Sequence, residues 1–112
     1  MKLFAVLCSL FLFSLSAQAL ECRNGWVMDS SGNSLDFIGS QSDCEASVCG
    51  VLYCKMGWMK NRRGQSLDFI GSISDCQEAN RCRTYCKMGW LKNSRGESIR
   101  FVGSQEDCIN SR

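Results

Sequence analysis

Cysteine is the side chain in this sequence with the most chemistry to offer, and its spacing is regular. Cys22, Cys54 and Cys86 stand 32 residues apart, Cys44, Cys76 and Cys108 keep the same step, and Cys49 and Cys82 fall between them. Three chemistries compete for such a set: disulfide bonding, zinc binding and thiol redox work. The metal and redox readings both want a C-x-x-C pair, or cysteines beside histidine, and the sequence has neither. Disulfides are the expected outcome, with no metal and no cofactor.

The absence of histidine also removes the usual general base and any imidazole pH switch. No Ser/Lys or Cys/His arrangement stands out, and nothing in the pattern brings two carboxylates together as an acid/base pair. The sequence predicts no enzymatic activity. The candidates for binding are aromatic and basic: Trp26, Trp58 and Trp90, one at the same place in each of three similar stretches, and the adjacent Arg62 and Arg63. Equivalent tryptophans can stack on sugar rings, quaternary cations or peptide, and they can equally pack one unit on the next.

Those stretches define the organisation. "CRNGWVMDSSGNSLDFIGSQSDC" (22–44), "CKMGWMKNRRGQSLDFIGSISDC" (54–76) and "CKMGWLKNSRGESIRFVGSQEDC" (86–108) are three versions of one phrase, joined by linkers 45–53 and 77–85, each of which ends in Tyr. Repeats of this length usually stack one supersecondary unit several times. Before them, residues 1–19 read as a cleaved secretory signal: Met1-Lys2, an apolar run from Leu3 to Leu15, then Ala17-Gln18-Ala19. Removing that segment takes away Lys2 and Cys8 and leaves a net charge of +1 with eight cysteines in 20–112, read as one domain. An exported chain meets an oxidising compartment, secreted or periplasmic, where eight thiols pair. Near-neutral charge argues against nucleic acid as a partner, and the apolar run is too short for stable membrane insertion.

Inside each unit, Asp29-Ser-Ser-Gly32, Asn61-Arg-Arg-Gly64 and Asn93-Ser-Arg-Gly96 suit a type I turn closed by a left-handed glycine. Carrying the register of that turn along both strands pairs residues whose numbers add to 62 in the first unit. Val27, Leu35 and Phe37 then share one face with Gly25 opposite Phe37, as do Met59, Leu67 and Phe69, and Leu91, Ile99 and Phe101. Trp26, Met28, Asp36 and Ile38 fall on the other face. Ser40, Ser72 and Ser104, each with Asp three residues on, predict capped short helices. Cys44 then lies one helical turn past Ser40, within bridging reach of Cys22, and the same holds for Cys54–Cys76 and Cys86–Cys108. Cys49 and Cys82 remain to tie the linkers together.

The expected object is a small disulfide-rich α+β protein of three tandem ββα units with period 32. Its expected role is that of a secreted or periplasmic interaction module, binding a cell-surface glycan or another exported protein through its Trp-bearing hairpin faces. A disulfide-stabilised protease inhibitor presenting the tip from Lys60 to Gly64, or a purely structural extracellular protein, are the alternatives.

Overall fold

The computed structural model describes residues 19–111; the signal reading of residues 1–18 lies outside them. It shows three antiparallel sheets, three short helices and four disulfides. The first sheet holds β1 (Glu21–Arg23), β2 (Trp26–Met28) and β3 (Ser34–Phe37), followed by helix α1 (Gln41–Ser47). The second runs β4 (Val48–Cys49), β5 (Leu52–Lys55), β6 (Trp58–Lys60) and β7 (Ser66–Phe69), followed by α2 (Ile73–Ala79). The third holds β8 (Thr84–Lys87), β9 (Trp90–Asn93) and β10 (Ser98–Phe101), followed by α3 (Gln105–Asn110).

Each unit therefore has a third strand beyond the expected ββα, and β4 adds a fourth to the second sheet. The stretch from Cys22 to Asp29 is not one strand but two, folded at Asn24-Gly25 so that Arg23 pairs with Trp26 and Cys22 with Val27. Asn24 and Gly25 both have positive φ, 53° and 86°, as a two-residue turn between right-twisted strands requires. Met56-Gly57 and Met88-Gly89 take the same shape. The glycine is obligatory on two counts. A Cβ on Gly25 would sit 1.9 Å from the Gly39 carbonyl oxygen, besides its left-handed φ. The segments read as linkers carry the end of each helix and the opening strand of the next sheet.

The outer hairpin forms its expected turn. The Asp29 amide donates to the Asn33 carbonyl at 2.9 Å and Gly32 to Asp29 at 3.1 Å. The expected register holds at Met28–Ser34, but Leu35 is then an extra residue, and beyond it Val27 pairs with Asp36 and Trp26 with Phe37. The same bulge recurs at Leu67 and Ile99. It exchanges two side chains between faces: Phe37 leaves the face of Val27 for that of Trp26, and Asp36 does the reverse. A bulge inserts one unpaired residue and flips the alternation past it, which uninterrupted period-2 reasoning cannot anticipate.

Helix starts follow the sequence closely. Ser40, Ser72 and Ser104 each accept from the amide of the Asp three residues on, and that Asp carboxylate accepts the serine amide in return. Cys22 is bonded to Cys44, Cys54 to Cys76 and Cys86 to Cys108, each with a Cα separation of 5.9 Å, and Cys49 to Cys82.

The core lies in two clusters, one of Leu20, Val27, Cys44 and Tyr53, the other around Leu52, Met59, Ala79 and Tyr85 with the sulfurs of Cys54, Cys76, Cys86 and Cys108. Tyr53 belongs to β5 of the second sheet but packs in the first cluster, and Tyr85 belongs to β8 of the third sheet but packs in the second. Units so small cannot close a core alone, so the first and second each borrow the tyrosine of the next.

Candidate binding surface

Alternation along the second sheet sends Tyr53, Lys55, Trp58, Lys60 and Phe69 to one face and Cys54, Met59 and Asp68 to the other. The tyrosine end of the first face docks on the preceding unit. Tyr53 donates to Asp36 Oδ2 at 2.5 Å, and Lys60 Nζ reaches the same oxygen at 3.0 Å. In the next unit Tyr85 donates to Asp68 at 2.5 Å, with Lys92 at 2.9 Å. Both tyrosine hydroxyls become harder to ionise, first because burial disfavours the phenolate and then because each faces a carboxylate. For Asp36, desolvation pushes the carboxyl up, but the hydrogen bonds from Tyr53 and Lys60 and the charges of Lys60 and Lys55 outweigh it and hold it below its ordinary value. The bulge residue completes the contact: Leu35 lies under Gly64, where an added Cβ would be 3.7 Å from the leucine Cβ.

The aromatic end of the same face is left open. Trp26 and Phe37 meet with ring centroids 5.3 Å apart, Trp58 and Phe69 at 5.3 Å, and Trp90 and Phe101 at 5.2 Å, all in tilted or edge-on geometry. The indoles are 42–43% exposed and the phenyl rings 46–58%. Lys55, cross-strand partner of Trp58, donates from Nζ to the Phe37 carbonyl, and Lys87, partner of Trp90, donates to that of Phe69. A lysine stem thus bridges each aromatic pair to the next. Met56 and Met88, at the turns beside the second and third pairs, are 74% exposed. Each tryptophan stays partly exposed against the phenylalanine of its own unit, and the three pairs, linked by Lys55 and Lys87, form a stripe along the array.

Arg62 and Arg63 lie elsewhere, on the exposed tip of the second hairpin. They line a groove of about 870 Å³ together with Arg83, Arg95, Asn61 and Gln65. Sequence reasoning singled out Arg62 and Arg63 but not Arg83, which comes from the segment before β8. It also missed the role of Tyr53 and Tyr85, although a terminal Tyr in each linker was the visible signal.

The described residues contain no group of three or more His, Cys, Asp or Glu placed to hold a metal ion, and no helix among them is long and apolar enough to cross a membrane. Four disulfides fit a chain that matures in an oxidising environment. No protein-family model, curated protein or solved structure matches the chain.

Proposed function

We propose that this chain is an exported, non-catalytic interaction module whose stripe of Trp–Phe pairs stacks on successive rings of a cell-surface glycan. One observation carries the reading: three tryptophans, equivalent in the three units, stay more than two-fifths exposed while every neighbouring tyrosine is fully buried. Aromatic faces held in a repeated frame suit a repeated ligand, and each stacked ring adds the modest energy of an aromatic–apolar contact. Linked modestly, such contacts gain from effective concentration rather than from any single tight site. The arginine groove favours a glycan carrying acidic substituents, since guanidinium groups bind carboxylate and sulfate in a fork geometry.

The test is an indole-fluorescence titration with acidic and neutral oligosaccharides of increasing length. Affinity should rise with length up to the span of three units, and Trp58→Ala, in the middle of the stripe, should weaken binding at least about tenfold without altering the far-ultraviolet circular dichroism. Unchanged affinity in a folded Trp26→Ala, Trp58→Ala, Trp90→Ala variant removes the reading. Saturable binding of an exported protein in place of any sugar, lost in the same variant, keeps the stripe and replaces the ligand.

A further inference from the structure

The contact that joins one unit to the next is heterologous: one face carries the acceptors and the bulge leucine, the opposite face carries the tyrosine and lysines. Two such joints lie inside the chain, and each leaves one face of an outer unit without a neighbour among the described residues. On the third unit that face presents Arg100, Ile99 and the carbonyl of Phe101, at the positions Asp36, Leu35 and Phe37 hold in the first. Ile99 is 52% exposed, and every residue of β10 is exposed, whereas Leu35, Asp36, Leu67 and Asp68 are covered in part. On the first unit the corresponding face presents the exposed Glu21 and Arg23, at the positions of Tyr53 and Lys55, while Met28, at the position of Lys60, is buried.

The two open faces differ from the internal ones in a matched way. Inside the chain a tyrosine and a lysine meet an aspartate. At the ends the tyrosine position holds Glu21 and the aspartate position holds Arg100, so acid and base have changed places and attraction is kept. Arg23 stands where Lys55 and Lys87 donate to a phenylalanine carbonyl, and the Phe101 carbonyl stands ready for it. The buried Met28 stands where Lys60 and Lys92 reach an aspartate, so this end carries no second cation. Gly32, with nothing within 4 Å of its Cβ position, takes the place of Gly64 and Gly96, which close over Leu35 and Leu67; Ile99 is the apolar residue it would cover. We propose that the exported chain associates head to tail with a second copy, Glu21 of one molecule on Arg100 of the next, continuing the internal joint across the molecular boundary.

Such a contact uses two different surfaces, so it grows into a ring or an open filament and does not stop at a symmetric dimer. It also keeps the tyrosine–aspartate joint and the glutamate–arginine joint from cross-pairing: an Asp36-type acceptor facing Glu21 would set two carboxylates together.

The experiment is sedimentation velocity on the full chain purified after export, over a wide concentration range at low and high salt. The wild type should form species larger than a dimer, weakened by salt. Arg100→Glu alone and Glu21→Arg alone should each sediment as monomers, their association at least about tenfold weaker, because like charges then meet at the joint. An equimolar mixture of those two variants should assemble again, since each then offers the other an opposite charge. That recovery also certifies that both variants are folded. A wild type that stays monomeric at every concentration overturns the proposal, as does assembly that stops at a dimer or a mixture that stays monomeric. Glycan binding by the Trp–Phe stripe is read separately, by fluorescence on either single variant, so the two proposals stand or fall apart.

Discussion

Replacing Tyr53 by Phe removes one hydroxyl and nothing else from the joint between the first two units. The side chain is fully buried and its ring fills the first core cluster, so Phe keeps the packing. What is lost is the 2.5 Å donation to Asp36. A hydrogen bond to a charged acceptor contributes about 1.5–3 kcal/mol net, and Lys60 at 3.0 Å still serves the same oxygen, which puts the expected loss near 2 kcal/mol. For a chain of this size that lowers the melting temperature by about 8–16 °C at neutral pH. The dependence on pH is the sharper test. The Asp36 carboxyl is held below its ordinary 3.8, so its stabilisation is complete above that value and fades as pH falls through the lower folded-state value. The Tyr53 hydroxyl is raised above its ordinary 10.0, so its contribution is complete below pH 10.0 and fades as pH rises. The gap between wild type and Tyr53→Phe should therefore be widest between these limits and narrow on both sides, measured by thermal melts followed by circular dichroism. A drop under about 2 °C at neutral pH, or a gap that does not narrow at either end, refutes the assignment of this joint.

The turn glycines and the helix starts give two further predictions. Gln41 clamps the first turn, accepting from the Gly25 amide at 2.9 Å and donating to the Cys22 carbonyl at 3.0 Å; Gln105 does the same for Gly89 and Cys86, whereas the second unit has the 40%-exposed Ile73 there. Ile73→Gln should supply the missing clamp and stabilise by about 1 kcal/mol, read as a melting temperature raised by several degrees; no gain would mean the clamp is incidental. Gly57→Ala meets the Gly71 carbonyl at 2.0 Å as well as a φ of +89°, and should cost about 3 kcal/mol or more in chemical denaturation. Gly32→Ala, with a similar φ of +87° but open space, should cost only about 1–2 kcal/mol.

The features legible in the sequence are those fixed by local chemistry. Ser40 with Asp43 specifies a helix start within four residues, and Asp29 with Gly32 specifies a turn within five, so neither depends on the rest of the chain. The extra strand was legible as well, in the Asn24-Gly25 pair, but Met56-Gly57 and Met88-Gly89 hide the same turn behind a residue that seldom adopts positive φ. The bulges at Leu35, Leu67 and Ile99 were not. A leucine in an alternating run gives no sign that it will be skipped, and its position is set by the need to bring Asp36 toward Tyr53, a partner 17 residues away. Mistaking that one step misplaced Phe37, and with it the aromatic pair. The exposure of Trp26, Trp58 and Trp90 was equally closed to sequence reasoning, because the tyrosines take the buried role that tryptophan usually has.

The four sulfur bridges also settle how the molecule carries tension. A pull between Leu20 and Ser111 passes through Cys22–Cys44, Cys49–Cys82 and Cys86–Cys108, and both long hairpins of the outer sheets and strands β5 to β7 of the middle one lie on slack branches off that route. The covalent path under tension holds about 14 backbone steps and three bridges, roughly 65 Å when taut, where the reduced chain could reach roughly 320 Å. Under load the oxidised protein is a short leash that stops lengthening almost at once. The backbone from Gly50 to Arg81, enclosed by the Cys49–Cys82 loop, lies off the covalent path of the force.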